Sequence, residues 1–247
     1  MNTLKPFPLA TKKIARYASA TGAAVAFALL AGCATGPNAN PADPFEPMNR
    51  SVMRFNDGID NAVLRPTATA YRNVVPSLVR TGVSNFFGNI SDVWSLANNV
   101  LQLKVQNSAE TFMRLNVNTF FGLGGLLDVA GDLGIERHRE DFGQTLGHYR
   151  VPAGPYLVLP LLGPSTVRDT AALPVDSYGD GVGAIQDIAW RNSFYALRVV
   201  DGRANLLRVS QMLEDAALDK YSFTRDAFLQ RRQSEVYDGN PPGDGGQ

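Results

Sequence analysis

Any chemistry in this 247-residue chain would have to come from few side chains: one cysteine (Cys33), two histidines (His138 and His148), and a carboxylate group at Glu136, Glu140 and Asp141. A lone thiol cannot close a disulfide, and zinc asks for three or four ligands, so Cys33 supports neither. Either histidine could serve a serine nucleophile as base. However, the chain contains no Gly-x-Ser-x-Gly elbow, and no serine sits in a strand-turn-helix pattern. A surface or helix-capping role suits the histidines better. The carboxylates alternate with Arg137, His138 and Arg139, which reads as a solvated, salt-bridged surface rather than a metal cage. Gly122-Leu-Gly-Gly-Leu-Leu-Asp128 lacks a lysine and the spacing of a nucleotide cradle, so it reads as a sharp turn between helices. No catalytic residue, metal ligand or diffusible cofactor is assigned.

Cys33 gains meaning from what precedes it. Lys5, Lys12, Lys13 and Arg16 lead into an apolar run, Ala23 to Leu30, which ends in small residues; this is the layout of a secretory signal over residues 1–32. The run is too short to span a bilayer, which takes about 20 apolar residues. Leu30-Ala31-Gly32-Cys33 resembles the lipobox of bacterial lipoproteins. Cleavage before Cys33 is therefore expected, with covalent diacylglyceryl and N-acyl groups on the cysteine. One chain gives only marginal membrane binding, at about 0.8 kcal/mol per buried methylene, whereas three hold effectively permanently. Ala34 and Thr35 place no acidic residue after the cysteine; in many lipoproteins an aspartate there retains the protein at the inner membrane, so outer-membrane sorting is expected.

The leader carries four of the 23 basic residues and none of the 23 acidic ones, so 19 basic face 23 acidic in the mature chain. That mild acidity argues against nucleic acid and against purely electrostatic docking on anionic headgroups. The composition of residues 33–44 predicts a flexible tether, that of 237–247 a disordered tail, and the folded body falls at 45–236.

Within the body the dominant period is helical. Over 84–101, Phe86, Ile90, Val93, Trp94, Ala97, Val100 and Leu101 share one face; Asn89, Ser91, Asp92, Ser95, Asn98 and Asn99 make a polar but almost uncharged opposite face. The pattern leaves open which face points inward. Met48, Val52, Phe55 and Ile59 form a shorter stripe with a stop at Arg65-Pro66, and further stripes run through Phe112 to Phe121, Leu206 to Ala217, and from Ile185. An all-α body follows. The exception is 151–165, where prolines and glycines around Tyr156 to Leu162 forbid an interior helix and predict an apolar extended loop or hairpin that protein or lipid must cover. No stretch reaches 18 consecutive apolar residues. Asp43-Pro-Phe-Glu-Pro-Met-Asn-Arg50 reads by itself as a helix entry: the prolines fix the backbone and Glu46 complements the dipole.

Four blocks in order carry a resemblance. They are Asp43 to Arg50 with Phe55-Asn56, Asn118-Thr-Phe-Phe-Gly-Leu-Gly-Gly-Leu-Leu-Asp-Val-Ala130, Glu140-Asp-Phe-Gly-Gln-Thr-Leu-Gly147, and Gly154-Pro-Tyr-Leu-Val-Leu-Pro-Leu-Leu-Gly-Pro-Ser-Thr-Val-Arg-Asp169. Together they resemble the MlaA (VacJ) family of outer-membrane lipoproteins from about 43 to 236. The resemblance implies a curved, ring-like assembly of amphipathic helices in the periplasmic leaflet of the outer membrane, around a central channel. It implies removal of mislocalised phospholipids from the outer leaflet and their transfer to a soluble periplasmic carrier, beside a trimeric porin. It makes Asp43, Pro44, Phe45, Glu46, Asn49, Arg50, Phe55 and Asn56 the family motif. Phe86, Phe87, Ile90, Trp94, Phe120, Phe121, Tyr156, Leu157, Leu159 and Leu161 are the expected lipid-contacting residues, and the 151–165 segment an expected gate. Two other readings stand beside it: a membrane-anchored phospholipid hydrolase and a passive lipoprotein scaffold.

Overall fold

The computed structural model describes residues 43–241, so the expected signal, Cys33 and most of the expected tether lie outside the described residues. The body is helical with one small sheet. Helix α1 (Glu46–Ile59) starts behind Pro44 with Pro47 in its first turn and Glu46 toward its positive end. It does not stop at Pro66. A five-residue π-helical segment, Asp60–Leu64, leads directly into α2 (Arg65–Val74). Proline lacks the N–H that would continue the α ladder and crowds the carbonyl four residues back. The wider turn, in which the Arg65 N–H reaches the Asp60 carbonyl, absorbs that misfit without ending the helix.

α2 ends at Val75, forced extended by Pro76. α3 (Ser77–Leu101) and α4 (Val105–Phe120) are joined by three residues and pack along each other. The Gly122 to Asp128 turn leads into α5 (Val129–Asp132), and Gly125 sits at φ 92°, where a Cβ would come within 2.6 Å of the Asn89 side chain. α6 (Phe142–His148) follows, capped by Asp141. Strands β1 (Tyr156–Leu159) and β2 (Gly163–Thr166) then pair antiparallel, Tyr156 opposite Thr166 and Leu159 opposite Gly163. α7 (Val167–Gly179), α8 (Ile188–Ala216) and α9 (Lys220–Val236) complete the body, capped by Thr166, Asp187 and Asp219 respectively.

Contacts between these elements close on themselves: α1 to β1, β1 to β2, β2 to α7, α7 to α6, α6 to α3, α3 to α8, α8 to α2, and α2 through the π segment back to α1. The arrangement is ring-like. Its cross-section reverses that of a soluble bundle. On α3 the inward face is Asn89, Asp92, Ser95, Asn98 and Asn99, all buried, while Val93, Val100 and Leu101 face out. On α4, Thr111, Arg114 and Asn118 are buried, and Phe112, Met113 and Phe120 are exposed. Among the described residues nineteen polar or charged side chains are buried against ten hydrophobic ones, so burial of apolar surface in this fold is not what orders the interior.

The folded body reaches further than its expected limits at both ends. Asp43, assigned to the tether, is 1 % exposed and accepts hydrogen bonds from Tyr221 and Arg225. Tyr237 to Asn240, assigned to the tail, form a hydrogen-bonded turn, and Asp238 pairs with Lys104 at 2.7 Å. The carboxylate group also differs from expectation: Glu140 is buried, bonded to Gln102 and Lys104, because α6 folds that segment onto α3. Glu136 stays exposed. His138 meets Glu110 at 2.5 Å, and His148 is exposed beside Tyr149.

Candidate lipid-contacting surface

The expected lipid-contacting residues separate into three groups. Phe120 (76 % exposed), Phe121 (74 %) and Leu161 (68 %) present bare apolar side chains at the outer surface. Phe86, Ile90, Trp94, Leu157 and Leu159 are half-buried. Phe87 and Tyr156 are buried and offer nothing to a lipid. Phe87 turns toward α8, where its ring and that of Phe86 pack on Phe194. Tyr156 alternates inward with Val158 against Tyr221, as every second residue of β1 must. The outer surface also holds residues that no helical period marked, at the element ends: Val74, Leu78, Leu103 and Val105 are all more than three-quarters exposed. An apolar surface of this extent on a monomer marks contact with a membrane or a partner. No helix of the described residues is long and apolar enough to cross a membrane.

Ile90 and Trp94 also line a recess of about 260 Å³ between α3, α7 and α8, together with Asp176, Asp180 and Arg198. The Trp94 indole N–H donates to Asp176 at 2.8 Å, which fixes the ring. A Cβ at Gly179 would lie 2.1 Å from that ring, so the close approach requires glycine. Arg198 holds Asp180 through two bonds, of 2.9 and 2.8 Å, and keeps its carboxyl below the usual carboxylate range although burial alone would raise it.

The family motif turns out to be a clasp rather than only a helix entry. The Asn49 amide donates to the Tyr156 carbonyl (3.0 Å) and accepts from the Val158 N–H (2.9 Å); the Asn56 amide donates to the Leu159 carbonyl (2.9 Å) and accepts from the Leu161 N–H (2.8 Å). Asn49 thus holds β1, and Asn56, about 10.5 Å further along α1, holds the turn that leads from β1 to β2. Arg50 pairs with Glu46 and, through two bonds, with Asp219, and lies over the Tyr221 ring. Phe55 is exposed on the far face of α1. In Asn49→Ala the buried Tyr156 carbonyl and Val158 N–H lose their partners, at about 2–4 kcal/mol in total. Thermal unfolding should show that loss, and Asn49→Asp should lose at least as much, because it sets a buried carboxylate against Asp43 and the Tyr156 carbonyl.

Ionic locks that the spacing of residues did not reveal complete the interior. Arg114 joins α4 to Asp128 (2.7 Å) and to the Ile135 carbonyl, and lies with Arg137 against buried Asp92, whose pKa is raised by burial despite them. Arg203 holds Asp60 of the π segment through two bonds. Arg232 of α9 is buried, donates two 2.7 Å bonds to Asp141, and donates another of 2.9 Å to Asp169. Burial alone would push Asp141 up, but Arg232 holds its carboxyl below the usual carboxylate range. A depressed folded pKa stabilises above the unfolded value, about 3.9, and that contribution is lost as pH falls through the folded one. The stability difference between the unaltered protein and Asp141→Asn should therefore be full at about pH 7 and shrink below about pH 4. Paired denaturant titrations measure it.

The MlaA lipoprotein family pattern matches residues 41–235, nearly the whole described body. The chain belongs to the MlaA lipoprotein family. Its relatives include the Escherichia coli (strain K12) protein named "Intermembrane phospholipid transport system lipoprotein MlaA", 35 % identical over 211 residues and covering 82 % of each chain. The Haemophilus influenzae protein of the same name is 33 % identical over 223 residues, covering 85 % of this chain and 87 % of that one. An uncharacterised Rickettsia bellii protein is 34 % identical over 200 residues, 78 % of this chain and 76 % of its own. A solved structure described as "Structural basis for maintenance of bacterial outer membrane lipid asymmetry" superposes with a TM-score of 0.69 at 34 % identity, covering 80 % of this chain and 99 % of that one. MlaA relatives thus share this ring-like helical fold, and the family is one of phospholipid-transport lipoproteins rather than known enzymes.

Proposed function

We propose that this chain, acylated on Cys33, lies in the periplasmic leaflet of the outer membrane, takes mislocalised phospholipids from the outer leaflet, and passes them through the polar centre of the ring to a soluble periplasmic carrier. A trimeric porin is its membrane neighbour. The observation that carries this reading is the reversed cross-section: apolar side chains outward, where acyl chains would meet them, and inward a polar interior of amides, hydroxyls and paired charges, where a headgroup could pass. Charges are costly at membrane depth, and the outward faces of α3 and α4 carry almost none.

Deleting the gene should raise phospholipid in the outer leaflet, measured by surface lipid labelling, and re-expression should restore asymmetry; an unchanged outer leaflet would contradict the transport reading and favour the scaffold. Purified protein incubated with phospholipid should release no fatty acid, since transport moves the lipid intact. Release would favour the hydrolase. Cys33→Ser should leave the precursor unacylated and absent from outer-membrane fractions, where normal fractionation would remove the anchor.

A further inference from the structure

A second cavity, of about 1010 Å³, opens away from the Ile90/Trp94 recess, between the α6–β1 connection, the start of α7 and the end of α9. Arg150, Arg168 and Arg232 line it together with apolar Val151, Leu229 and Val236. Two of the arginines are already committed: Arg168 is paired with Asp169 at 3.0 Å, and Arg232 with Asp141 and Asp169. Arg150 is exposed and has no carboxylate partner among the described residues. Its lining therefore carries one uncompensated positive charge, backed by two buried guanidiniums.

The backbone at Arg150 adds a separate observation. Its φ is 65°, in the left-handed region that favours glycine; the Arg150 N–H donates to the Gly147 carbonyl and the Val151 N–H to the Leu146 carbonyl, closing the end of α6. A long cationic side chain at a position where glycine would be more stable is a locally unfavourable choice, and such choices concentrate where function maintains them. Glycine would close the helix as well and leave the cavity neutral.

We propose that this cavity is a headgroup site that receives the phosphodiester of a phospholipid, with Arg150 as its anion-binding group and the Val151 and Leu229 side chains against the first methylenes of the acyl chains. The inference rests on the phospholipid-transport reading and specifies where on this chain a headgroup would be held. Arginine suits it because its planar fork offers paired donors to phosphate oxygens.

The test uses the mature acylated protein in neutral detergent, titrated with dihexanoyl phosphatidylglycerol, with dihexanoylglycerol, and with inorganic phosphate. Phosphatidylglycerol should bind the unaltered protein, with affinity about tenfold lower in both Arg150→Gln and Arg150→Gly. Arg150→Gly should at the same time unfold at higher temperature, because it relieves the left-handed backbone, so weaker binding cannot be put down to a damaged fold. Dihexanoylglycerol should bind all three proteins at the level of the variants. Equal affinity of the unaltered protein and both variants for phosphatidylglycerol would overturn this site while leaving transport standing. Phosphate binding as tight as lipid binding would overturn the headgroup assignment in favour of a free-phosphate site. No lipid binding by any of the three would overturn both the site and the transport reading.

Discussion

Arg232→Ala should destabilise the body by about 3–5 kcal/mol, because it leaves Asp141 without its cation and Asp169 with Arg168 alone. Arg232 is 8 % exposed and ties α9 to the α6 cap at Asp141 and to the first turn of α7 at Asp169. The size of the effect follows from an asymmetry in buried ion pairs. Replacing all partners with neutral groups can cost little, whereas removing one strands the others in low dielectric. Arg232→Met combined with Asp141→Asn should therefore recover much of the lost stability, while Asp169 keeps its pair with Arg168. Thermal unfolding in detergent checks both, and for a body of this size about 3 kcal/mol corresponds to a fall of roughly 6–12 °C. A single variant no less stable than the combined one would show that the ion pairs are not what holds α9.

The second large effect concerns the outer surface. Phe120 and Phe121 stand three-quarters exposed at the end of α4. If acyl chains cover them, Phe120→Asp with Phe121→Asp places two charges in hydrocarbon at about 2.5–3.5 kcal/mol each at full depth, less near the interface. Flotation with phospholipid vesicles should fall at least tenfold while far-ultraviolet circular dichroism stays unchanged. The same pair introduced on a soluble domain's surface would improve solubility and alter nothing else. Unchanged flotation would mean that this face is not the buried one.

How much of this was legible in the sequence depends on which physical rule wrote each feature. The α3 face of Phe86, Ile90, Val93, Trp94 and Val100 repeats at the helical period, so the helix could be read. Its sense could not, because a stripe facing a core and a stripe facing lipid have the same period. Burial of Asn98 and Asn99, both 0 % exposed, shows that the polar face is the inward one. The helix stop expected at Arg65-Pro66 failed because proline's demands can be met by a π turn as well as by a break. The Asp43 to Asn56 motif was visible as a block. Its work was not, since Asn49 and Asn56 grip a strand more than a hundred residues away, and no local pattern encodes such a partner. Arg232, Asp141 and Asp169 were hidden for the same reason: their pairing spans 63 and 91 residues. The carboxylate at Glu140 looked solvated because interleaved charges usually are, yet α6 carries it into the interior against Lys104.

The reversed cross-section also changes the role expected of the acyl anchor. A soluble body would depend on Cys33 alone, whereas the proposed placement gives a body with bare apolar faces on α3 and α4 its own affinity for the leaflet. The direct test places a protease site between Ala34 and Ala42 of the mature protein, reconstituted in phospholipid vesicles, and cuts the body from its acylated cysteine. The body should remain with the vesicles through washes at high salt. Its appearance in the supernatant as a folded, monomeric protein would contradict the account.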